Sequence, residues 1–397
     1  MKISTVWNTT ADTSEAVGAA YRQLRSELGH DPQLLIAYST MKHPAGQMAR
    51  ALQQACPGVP VHGATSCLGV MTAEGFHSAD GIGLGLFGVF DPEGNYGVGF
   101  VEIENDPRAA GAAAIQQAIA GAGRVGEPPQ LIWLNGTPGY EEQVLAGIED
   151  IVGSNVPIIG GSAADNTVAG QWNQFTQSRF SQSAVMVTAM YPSVPTHYAF
   201  HSGYVPTSVR GVATKAEGHT LHEINGRPAA QLYNEWTNGA IAGFLTGGNI
   251  LAMTTLYPLG RVVGKVGEIP YYRLSHPDSV TPEGALTFFT EIENGDELAL
   301  MTGSRDSLVE RAGMTALSAL EAGRIRTEQI SGSLVVYCAG CMLTVQDRMP
   351  EVAAGVSAAL GGKPLIGVFT FGEQGCFVGG ENRHGNLMIS VIVFEKG

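Results

Sequence analysis

The sequence has few charged residues, and basic residues are the minority among them. Asp, Glu, Lys and Arg make up 15% of the 397 residues, whereas an average globular protein has about 25%. This shortage of polar surface predicts covered sheets or subunit contacts, and therefore a homo-oligomer. The formal net charge of −14 argues against nucleic acid as a partner and disfavours an anionic membrane surface, because both partners require a basic face.

Long apolar runs and disulfide-forming patterns are also missing. No stretch approaches the roughly 18 consecutive apolar residues of a membrane-spanning helix, and the N-terminal segment MKISTVWNTTADTSEAVGAAYRQL lacks the apolar core of a signal peptide. The five cysteines are few and odd in number, which disfavours a secreted disulfide framework. We therefore expect a cytoplasmic protein without membrane insertion.

Catalytic signatures are absent from the sequence as well. It contains no G-x-S-x-G nucleophile motif, no HExxH metalloprotease motif and no phosphate-binding GxxxxGK[ST] motif. Glu373, in the apolar segment FTFGEQG, is the nearest approach to a catalytic acid, but no neighbouring residue specifies a reaction. A non-enzymatic function is expected.

One pattern occurs three times: an uncharged apolar run, a stretch with helical spacing, and a second apolar run that ends in Gly. The first runs begin at Leu34, Leu131 and Leu334, and the second runs read VPVHG, VPIIG and KPLIG. The predicted helix faces are Met48, Ala49, Leu52 and Ala55; Val144, Leu145, Ile148 and Ile151; and Met349, Val352, Val356 and Leu360. Each copy has the roughly 30-residue length of a β-α-β unit. A partial fourth copy, ELALMTGSRDSLVERAGMTALSAL, supplies a strand and a helix before the third.

These units predict an α/β fold in which repeated strand-helix-strand units form large mixed sheets with helices on the outer faces. The chain is expected to have two pseudo-related halves, residues 1–210 and 211–397, which join where Pro, Gly and polar residues increase. The break is not sharp, so the two halves can share one sheet system.

Several segments occur in an order that resembles the FIST family of sensory domains: VHGATSCLGVMTAEGF, IIGGSAADN, EINGRPAAQLYNEW and LIGVFTFGEQG. The resemblance covers nearly everything from about residue 30 and implies a FIST N-terminal domain over 1–210 and a FIST C-terminal domain over 211–397. It also implies a small-ligand sensor in bacterial signal transduction. The segments HGATSCLGVMT and FHSGYVPT are more similar to the NosP subset, which implies a haem cofactor and nitric oxide as the sensed ligand. Because no kinase segment is present, the expected output is through a partner such as a histidine kinase.

Gly-rich stretches follow the second strand of each unit. In open α/β sheets, ligands bind beyond the carboxyl ends of strands, where Gly permits close backbone approach. The candidate ligand-binding residues at these exits are His62, Gly63, Thr65, Ser66, Gly160, Gly161 and Ser162. If the exits converge on one cleft, they predict a site for a small organic ligand, such as an amino acid or its derivative, without haem. The simpler alternative is that these residues only make turns.

A haem iron needs an axial imidazole in an apolar, aromatic pocket. His201 lies on the predicted strand HYAFHSGYVP, close to Phe200 and Tyr204, and is the first candidate for the iron ligand. By strand alternation, Phe200 faces the opposite side of the sheet. His62 and His384 are the next candidates, and the alternative for His201 is a half-exposed strand histidine.

A C-x2-C pair supports a third hypothesis. Cys338 and Cys341 follow a predicted strand and precede a helix that is expected to begin after Thr344. A thiolate at a helix N-terminus has a lowered pKa, so the chain is alternatively a thiol redox protein that uses these two cysteines. Structural zinc, with Cys376 and His384 as further ligands, is a weaker alternative because such sites need four ligands at regular spacing. Packing of both cysteines as small apolar side chains is the simplest alternative.

Overall fold

The computed structural model describes residues 1–266, 269–377 and 379–397. Its organising unit is a module of four main strands, two long helices and a short hairpin, and this module occurs three times. Each module reads strand–helix–strand–helix–strand, followed by the hairpin and a closing antiparallel strand.

The modules have the following bounds. Module 1 consists of β1 (Lys2–Asn8), α1 (Thr13–Leu28), β2 (Leu34–Ser39), α2 (Ala45–Ala55), β3 (Val61–Thr65), β4 (Val70–Thr72), β5 (Gly75–His77) and β6 (Leu84–Phe90). Module 2 consists of β7 (Asn95–Glu102), α3 (Pro107–Gly121), β8 (Leu131–Gly136), α4 (Glu141–Val152), β9 (Ile158–Ser162), β10 (Gln174–Phe175), β11 (Phe180–Ser181) and β12 (Ala184–Tyr191). Module 3 opens with β13 (Thr196–Ser202), is interrupted by an inserted segment, and continues from residue 305.

The inserted segment has its own sheet and its own apolar core, in which Tyr233 is fully buried. Its elements are β14 (Val205–Glu217), β15 (Thr220–Ile224), β16 (Arg227–Pro228), α5 (Ala229–Trp236), β17 (Gly248–Asn249), α6 (Leu251–Thr254), β18 (Leu259–Val266), β19 (Ile269–Ser275), β20 (Pro277–Val280), β21 (Leu286–Phe288) and β22 (Glu297–Thr302). The first and last strands pair, with Val205 opposite Thr302. The segment therefore leaves and rejoins module 3 at one place.

The rest of module 3 follows the inserted segment. It consists of α7 (Arg305–Gly323), β23 (Ile330–Cys338), α8 (Ala339–Thr344), α9 (Met349–Ala359), β24 (Leu365–Thr370), β25 (Glu373–Cys376), β26 (Asn382–Gly385) and β27 (Met388–Glu395). The predicted fourth copy is therefore β22 of the inserted segment together with α7, the first helix of module 3. Helix α7 packs on β13, just as α1 packs on β1 and α3 on β7.

The strand order is the same in all three modules. The strands lie in the order β1-β6-β2-β3 in module 1, β7-β12-β8-β9 in module 2 and β13-β27-β23-β24 in module 3. In each module the last pair in this order is parallel and the other neighbours are antiparallel. The predicted α/β class, with repeated strand-helix-strand units in mixed sheets, is confirmed. The expected first half, residues 1–210, holds modules 1 and 2, and the second half holds the inserted segment and most of module 3.

The hairpins interlock the modules in a ring. Hairpin β4–β5 of module 1 pairs with β24 of module 3, β25–β26 of module 3 pairs with β9 of module 2, and β10–β11 of module 2 pairs with β3 of module 1. Each six-stranded sheet is thus completed by the module next to it. The two sequence halves are joined through their sheets.

The inner faces of the three sheets share one core. Phe87 of module 1, Trp133 of module 2 and Phe394 of module 3 are all buried in it. The outer face of each sheet is covered by a pair of helices, which are α1 and α2, α3 and α4, and α7 and α9. Helices therefore lie on the outer faces, as expected, because each sheet buries one apolar face centrally and the other beneath its helix pair.

Side chains at the helix starts explain where the long helices begin. Asp12 and Asp106 accept hydrogen bonds from the backbone N–H groups of Glu15 and Ala109, at the starts of α1 and α3. Ser304 makes a reciprocal capping box with Ser307 at the start of α7. These caps satisfy N–H groups that have no partner within the helix.

Candidate functional site

The Gly-rich exits of the three modules meet at one junction. Three backbone hydrogen bonds connect them: Ala164 N–H to the Thr65 carbonyl (3.0 Å), Phe371 N–H to the Ser162 carbonyl (3.2 Å) and Cys67 N–H to the Phe369 carbonyl (3.1 Å). Each bond joins a different pair of modules. The exits therefore lie together, and they cover one another at this junction.

His62 lies inside the core beneath the junction. Its Nδ1 is 2.8 Å from the Thr188 hydroxyl and its Nε2 is 2.8 Å from Asn135 Oδ1. Burial lowers the pKa of His62 to about 4, so the ring is neutral at pH 7. Both ring nitrogens are engaged within the protein, and His62 does not line the cavity described below. The neighbouring Gly63 packs against the Phe175 ring.

The other exit residues mostly join the modules to each other. Thr65 Oγ1 accepts a hydrogen bond from Asn173 N–H (2.9 Å), and Ser66 Oγ accepts one from Phe369 N–H (3.0 Å). A Cβ at Gly160 would overlap the Leu134 carbonyl, and one at Gly161 would press on Thr370 at 2.5 Å. These glycines are required for close strand packing.

A cavity of about 220 Å³ lies beside the junction, between modules 2 and 3 and the inserted segment. Its apolar lining consists of Val168, Trp172, Leu251, Phe289, Leu343 and Phe371. Its polar lining includes Glu141, His276, Cys338 and Asn386. An apolar cavity with a few polar groups is typical of a small-molecule site.

Asn386 is the most informative polar group of this cavity. Its Oδ1 accepts a hydrogen bond from His276 N–H (3.2 Å), which fixes the orientation of the carboxamide. Its Nδ2 has no hydrogen-bond partner among the residues that the structure describes, although the side chain is only 2% exposed. A buried N–H donor without a partner costs roughly 1–3 kcal/mol, so a ligand acceptor at this position would recover that energy.

Glu141 supplies a carboxylate to the same cavity. Its Oε1 accepts a hydrogen bond from the Ser162 hydroxyl (2.5 Å), and its Oε2 accepts one from Gly139 N–H (2.8 Å). Of the predicted exit residues, Ser162 is thus the one that bonds to a cavity-lining carboxylate. Glu142 and His384 lie close by, and the ligating atoms of the three side chains are within 4.8 Å of one another. We call Glu141, Glu142 and His384 the carboxylate–histidine cluster.

Glu142 is ionised in this cluster. Burial raises the pKa of Glu142, but His384, Arg273 and backbone N–H groups outweigh this effect, so its pKa lies below the usual range. The Glu142 carboxylate also accepts a hydrogen bond from Glu291 N–H at 3.2 Å. Glu142 therefore contributes a negative charge to the cluster.

Cys338 and Cys341 are buried, and only Cys338 is part of the cavity lining. Helix α8 begins at Ala339, directly after Cys338, and the helix expected after Thr344 is α9, which begins at Met349. Burial raises the pKa of the Cys338 thiol well above its usual range, and the adjacent Cys341 adds to this. Burial also raises the pKa of Glu373, whose carboxyl group accepts hydrogen bonds from the Thr370 hydroxyl and Met388 N–H. Burial and the adjacent Cys341 therefore favour a protonated Cys338 thiol, and the redox role of the two cysteines stays a prediction.

The predicted zinc ligands do not come together. Within residues 1–266, 269–377 and 379–397, the grouping of three or more potential metal ligands is Glu141, Glu142 and His384, without any of the cysteines. His384 is thus near other potential ligands, but they are carboxylates on helix α4.

His201 lies in a separate groove of about 360 Å³ between module 3 and the inserted segment. Its ring lies 6.4 Å from the Tyr271 ring, at an interplanar angle of 22°. Tyr204 and Arg311 also line this groove. Burial, and secondarily Arg311, lowers the pKa of His201 to about 4, so the imidazole is neutral at pH 7. Phe200 packs against Gly375 and Phe377.

Several residues of the cavity were not predicted from the sequence. Asn386 and Glu141 precede or follow strands in unremarkable segments, and Trp172, His276 and Phe289 come from loops or the inserted segment. The segment GTPGYEE after β8 offered one usable signal, because a Pro-Gly turn followed by two carboxylates opens a helix at a strand exit.

Two family models match the chain. The FIST N domain matches residues 33–227, and the FIST C domain matches residues 229–376. An uncharacterized protein of Methanocaldococcus jannaschii is 30% identical over 97 residues, which cover 24% of this chain and 18% of that protein. The match therefore spans less than a fifth of that relative.

Two solved structures are similar over their whole length. A cyanuric acid hydrolase aligns with 99% of this chain and 99% of its own, at 8% identity and a TM-score of 0.38. The cyanuric acid hydrolase from A. caulinodans aligns with 100% of this chain and 99% of its own, at 10% identity and a TM-score of 0.40. Similarity at this level carries no argument about function. Among the described helices, none has the length and apolar character needed to cross a membrane.

Proposed function

The chain belongs to the FIST family of signal-transduction sensors, and on that premise we propose that it binds a compact organic ligand, such as an amino acid or its derivative, in the cavity beside the junction. Ligand binding there would connect two modules and the inserted segment. A sensor requires that the ligand favour one arrangement of the protein over another, and an interface between three parts of the chain suits that requirement.

The size of the cavity limits the ligand. About 220 Å³ is below the roughly 300–1,000 Å³ of sites for drug-sized molecules. A molecule with a single ring or a short aliphatic body fits this volume, whereas a haem macrocycle is too large. Trp172, Phe289 and Phe371 provide the apolar surface against which such a body would pack.

The observation that carries the proposal is the free N–H group of Asn386. Because this donor is buried and unpartnered within the described part of the chain, it is suited to a carboxylate or carbonyl oxygen of a ligand. Glu141 provides an acceptor for a ligand ammonium group. A molecule that carries both groups on a short apolar body satisfies both side chains, and amino acids are such molecules.

Thermal unfolding in the presence of the amino acids and their simple derivatives tests this proposal. At least one compound should raise Tm in a concentration-dependent way, because a ligand that binds only the folded state stabilises it. Leu343→Trp, at a rim position that is 39% exposed, should remove the shift by filling the mouth of the cavity. Leu317→Trp, on α7 at 40% exposure, is the matched control and should keep it.

Asn386→Asp is the more specific variant. It keeps the acceptor for His276 N–H but replaces the free donor by a carboxylate oxygen, so a carboxylate ligand should be repelled. An unchanged Tm shift in both Asn386→Asp and Leu343→Trp would exclude the cavity as the binding site.

A second candidate function, haem-based sensing of nitric oxide, is favoured by the groove around His201. A neutral imidazole can coordinate iron, the rings of Tyr271 and Tyr272 provide an aromatic wall, and Arg311 can pair with a carboxylate of the porphyrin. These residues fit a haem group in kind. Bound haem would supply an iron that binds nitric oxide, and His201, with Phe200 and Tyr204 beside it, would hold the group.

Absorbance spectra separate the two candidates. After reconstitution with haemin, the haem-binding hypothesis predicts a Soret band that shifts on addition of nitric oxide and is lost or altered in His201→Ala. His222→Ala, which changes a histidine outside this groove, is the control. A spectrum that stays identical in His201→Ala would exclude His201 as the iron ligand.

For output we propose contact with a signalling partner such as a histidine kinase, and we propose a cytoplasmic location. The partner follows from the family resemblance, and the location follows from the few, odd-numbered cysteines and the lack of long apolar runs in the sequence, rather than from a site in the structure. Co-purification of the chain with a kinase, in a ligand-dependent manner, would test the first of these.

A further inference from the structure

We propose that Glu141, Glu142 and His384 form a binding site for a divalent transition-metal ion on the wall of the cavity. This inference does not depend on the identity of the organic ligand. It rests on three side chains from two modules whose ligating atoms lie within 4.8 Å of one another.

The two carboxylates and the histidine are held together by the ring of modules. Glu141 and Glu142 open helix α4 of module 2, whereas His384 lies on β26 of module 3, in the hairpin that pairs with β9 of module 2. Ions such as Zn²⁺ bind nitrogen and oxygen ligands at roughly 2.0–2.2 Å. Ligand atoms separated by up to 4.8 Å can therefore reach one ion after small side-chain rotations.

The preference of helix N-termini for carboxylates does not account for this cluster. The helix dipole favours Glu141 and Glu142 at the start of α4, but it disfavours a cation and gives no reason for a histidine from another module. Within the described residues, neither carboxylate has an ion-pair partner within 4.0 Å. Arg273 acts on Glu142 only from beyond this distance, so no direct ion pair within the described residues occupies the carboxylate oxygens.

Gln374 provides an independent observation that points to a bound ion. It is 1% exposed, its Nε2 lies 3.3 Å from His384 Nδ1, and its Oε1 has no partner among the residues placed by the structure. His384 Nε2 lies 3.4 Å from the Phe289 carbonyl, a long contact that a metal ion would replace. Rotation of the Gln374 carboxamide by 180° would let its Oε1 accept a hydrogen bond from His384 Nδ1–H, and the lone pair of His384 Nε2 would then face the metal. A metal-bound histidine commonly donates its second N–H to such an oxygen.

The absence of a side chain at Gly372 leaves room beside the carboxylate–histidine cluster. A Cβ at Gly372 would lie 2.6 Å from His384 Cε1, 3.1 Å from Glu141 Oε1 and 3.2 Å from Ser162 Oγ. Any larger residue at this position would fill the space that the ion and its ligands need.

The donor set indicates the class of metal. Imidazole suits Zn²⁺, Fe²⁺ and similar ions, and carboxylates suit Mn²⁺ and Mg²⁺, so one imidazole with two carboxylates favours a borderline ion such as Zn²⁺ or Mn²⁺ over Ca²⁺. Three protein ligands leave at least one coordination position open. Because Glu141 also lines the cavity, an open position on this side is accessible to a molecule bound there.

Competition with a chromophoric chelator tests the site, with Zn²⁺ and Mn²⁺ as probes and Ca²⁺ for comparison. The full-length protein should bind one Zn²⁺ per chain, and Glu142→Gln and His384→Ala should each abolish that binding. Gln374→Ala, which removes a positioning residue, should weaken binding about 10- to 100-fold. His30→Ala and Glu93→Gln change exposed residues elsewhere and should bind Zn²⁺ as the unaltered protein does.

Failure to detect saturable Zn²⁺ or Mn²⁺ binding would overturn the proposal, as would full binding by the Glu142→Gln, His384→Ala double variant. If the variants do not fold, crystals of the unaltered protein soaked in Mn²⁺ decide the question. Anomalous scattering between α4 and β26 supports the site, and scattering only elsewhere refutes it. Neither outcome depends on the amino-acid screen, so the two proposals can fail separately.

Discussion

At the scale of single residues, the buried polar side chains fall into two groups. In one group the polar atoms have hydrogen-bond partners within the protein, and in the other at least one polar atom has none among the described residues. His62 belongs to the first group, since both its ring nitrogens have protein partners. Asn386 and Gln374 belong to the second, since each has a buried polar atom without a partner in the described ranges. From the sequence, His62 and the exit glycines are predicted to bind a ligand because they lie where strands end. Position at a strand end does not distinguish a histidine whose ring nitrogens are satisfied in the core from one that is available to a ligand.

The neutral His62 makes stability depend on pH. Its pKa is lowered to about 4 in the folded state, whereas an unfolded histidine has a pKa near 6.5. Below about pH 6.5 the unfolded chain binds more protons at this site, so the stability that this residue contributes is lost as the pH falls toward 4. His62→Gln should therefore reduce the loss of unfolding free energy between pH 7 and 5 by about 2 kcal/mol.

Urea unfolding at several pH values measures this effect. His30→Gln, at an exposed position, is the control and should retain the pH dependence of the unaltered protein. If His62→Gln shows the same slope as the unaltered protein, the imidazole of His62 is not held neutral by the fold.

At the scale of helices and strands, the apolar pattern predicted most elements well. The predicted faces of α2 and α9 pack on the outer surface of their sheets, and their buried members are Met48, Ala49, Leu52, Met349, Val352, Val356 and Leu360. Ala55, predicted on the same face of α2, is half-buried at the end of that helix. Ile151 was expected in the same role but is 40% exposed, since it lies at the end of α4 beyond the sheet. Helix α8, between β23 and α9, was missed because six residues are too few to show a helical period.

The short hairpins show why the pairing between modules could not be predicted from the sequence. Strands β4, β5, β10 and β11 are two or three residues long, so they carry almost no periodic signal. Outside its own hairpin, β4 pairs with β24 and β10 pairs with β3, and both partners belong to other modules and lie far away in sequence. The cavity depends on that arrangement, and for this reason its lining could not be assembled from local patterns.

The packing of α4 on α3 gives an element-scale prediction. A Cβ at Gly147 would overlap the Arg108 carbonyl of α3, whereas one at Gly355 in α9 would meet no atom within 4 Å. Gly147→Ala should thus destabilise the protein by roughly 1–3 kcal/mol because the helices must separate. Gly355→Ala, an identical change in an open helix position, should stabilise it by up to about 1 kcal/mol.

Chemical denaturation of both variants under the same conditions provides the measurement. Equal effects of the two substitutions would contradict the close contact between α3 and α4.

At the scale of the whole molecule, the exchange of hairpins makes the three modules depend on one another. Removal of any module would leave one sheet without its hairpin and another hairpin without its sheet. The shared central core adds to this dependence, since it contains side chains from all three sheets. The modules are therefore unlike independent domains, although each repeats the same strand order.

Cooperative unfolding is the expected consequence. Trp7 in module 1 stacks on His77, whose hairpin belongs to the sheet of module 3, and Trp133 lies in the shared core. Variants that retain only Trp7 or only Trp133 should show fluorescence transitions in urea with the same midpoint, which should also match the far-ultraviolet circular dichroism transition. Midpoints that differ beyond error would mean that modules 1 and 2 unfold separately.

The pairing of β14 with β22 has a consequence for diversity among related proteins. The inserted segment, about a hundred residues long, begins and ends at adjacent positions. Evolution can therefore replace it without breaking the pairing among the three modules. Leu251, His276 and Phe289, which line the cavity, belong to the inserted segment. Related chains with the same three modules but a different inserted segment would thus recognise different molecules.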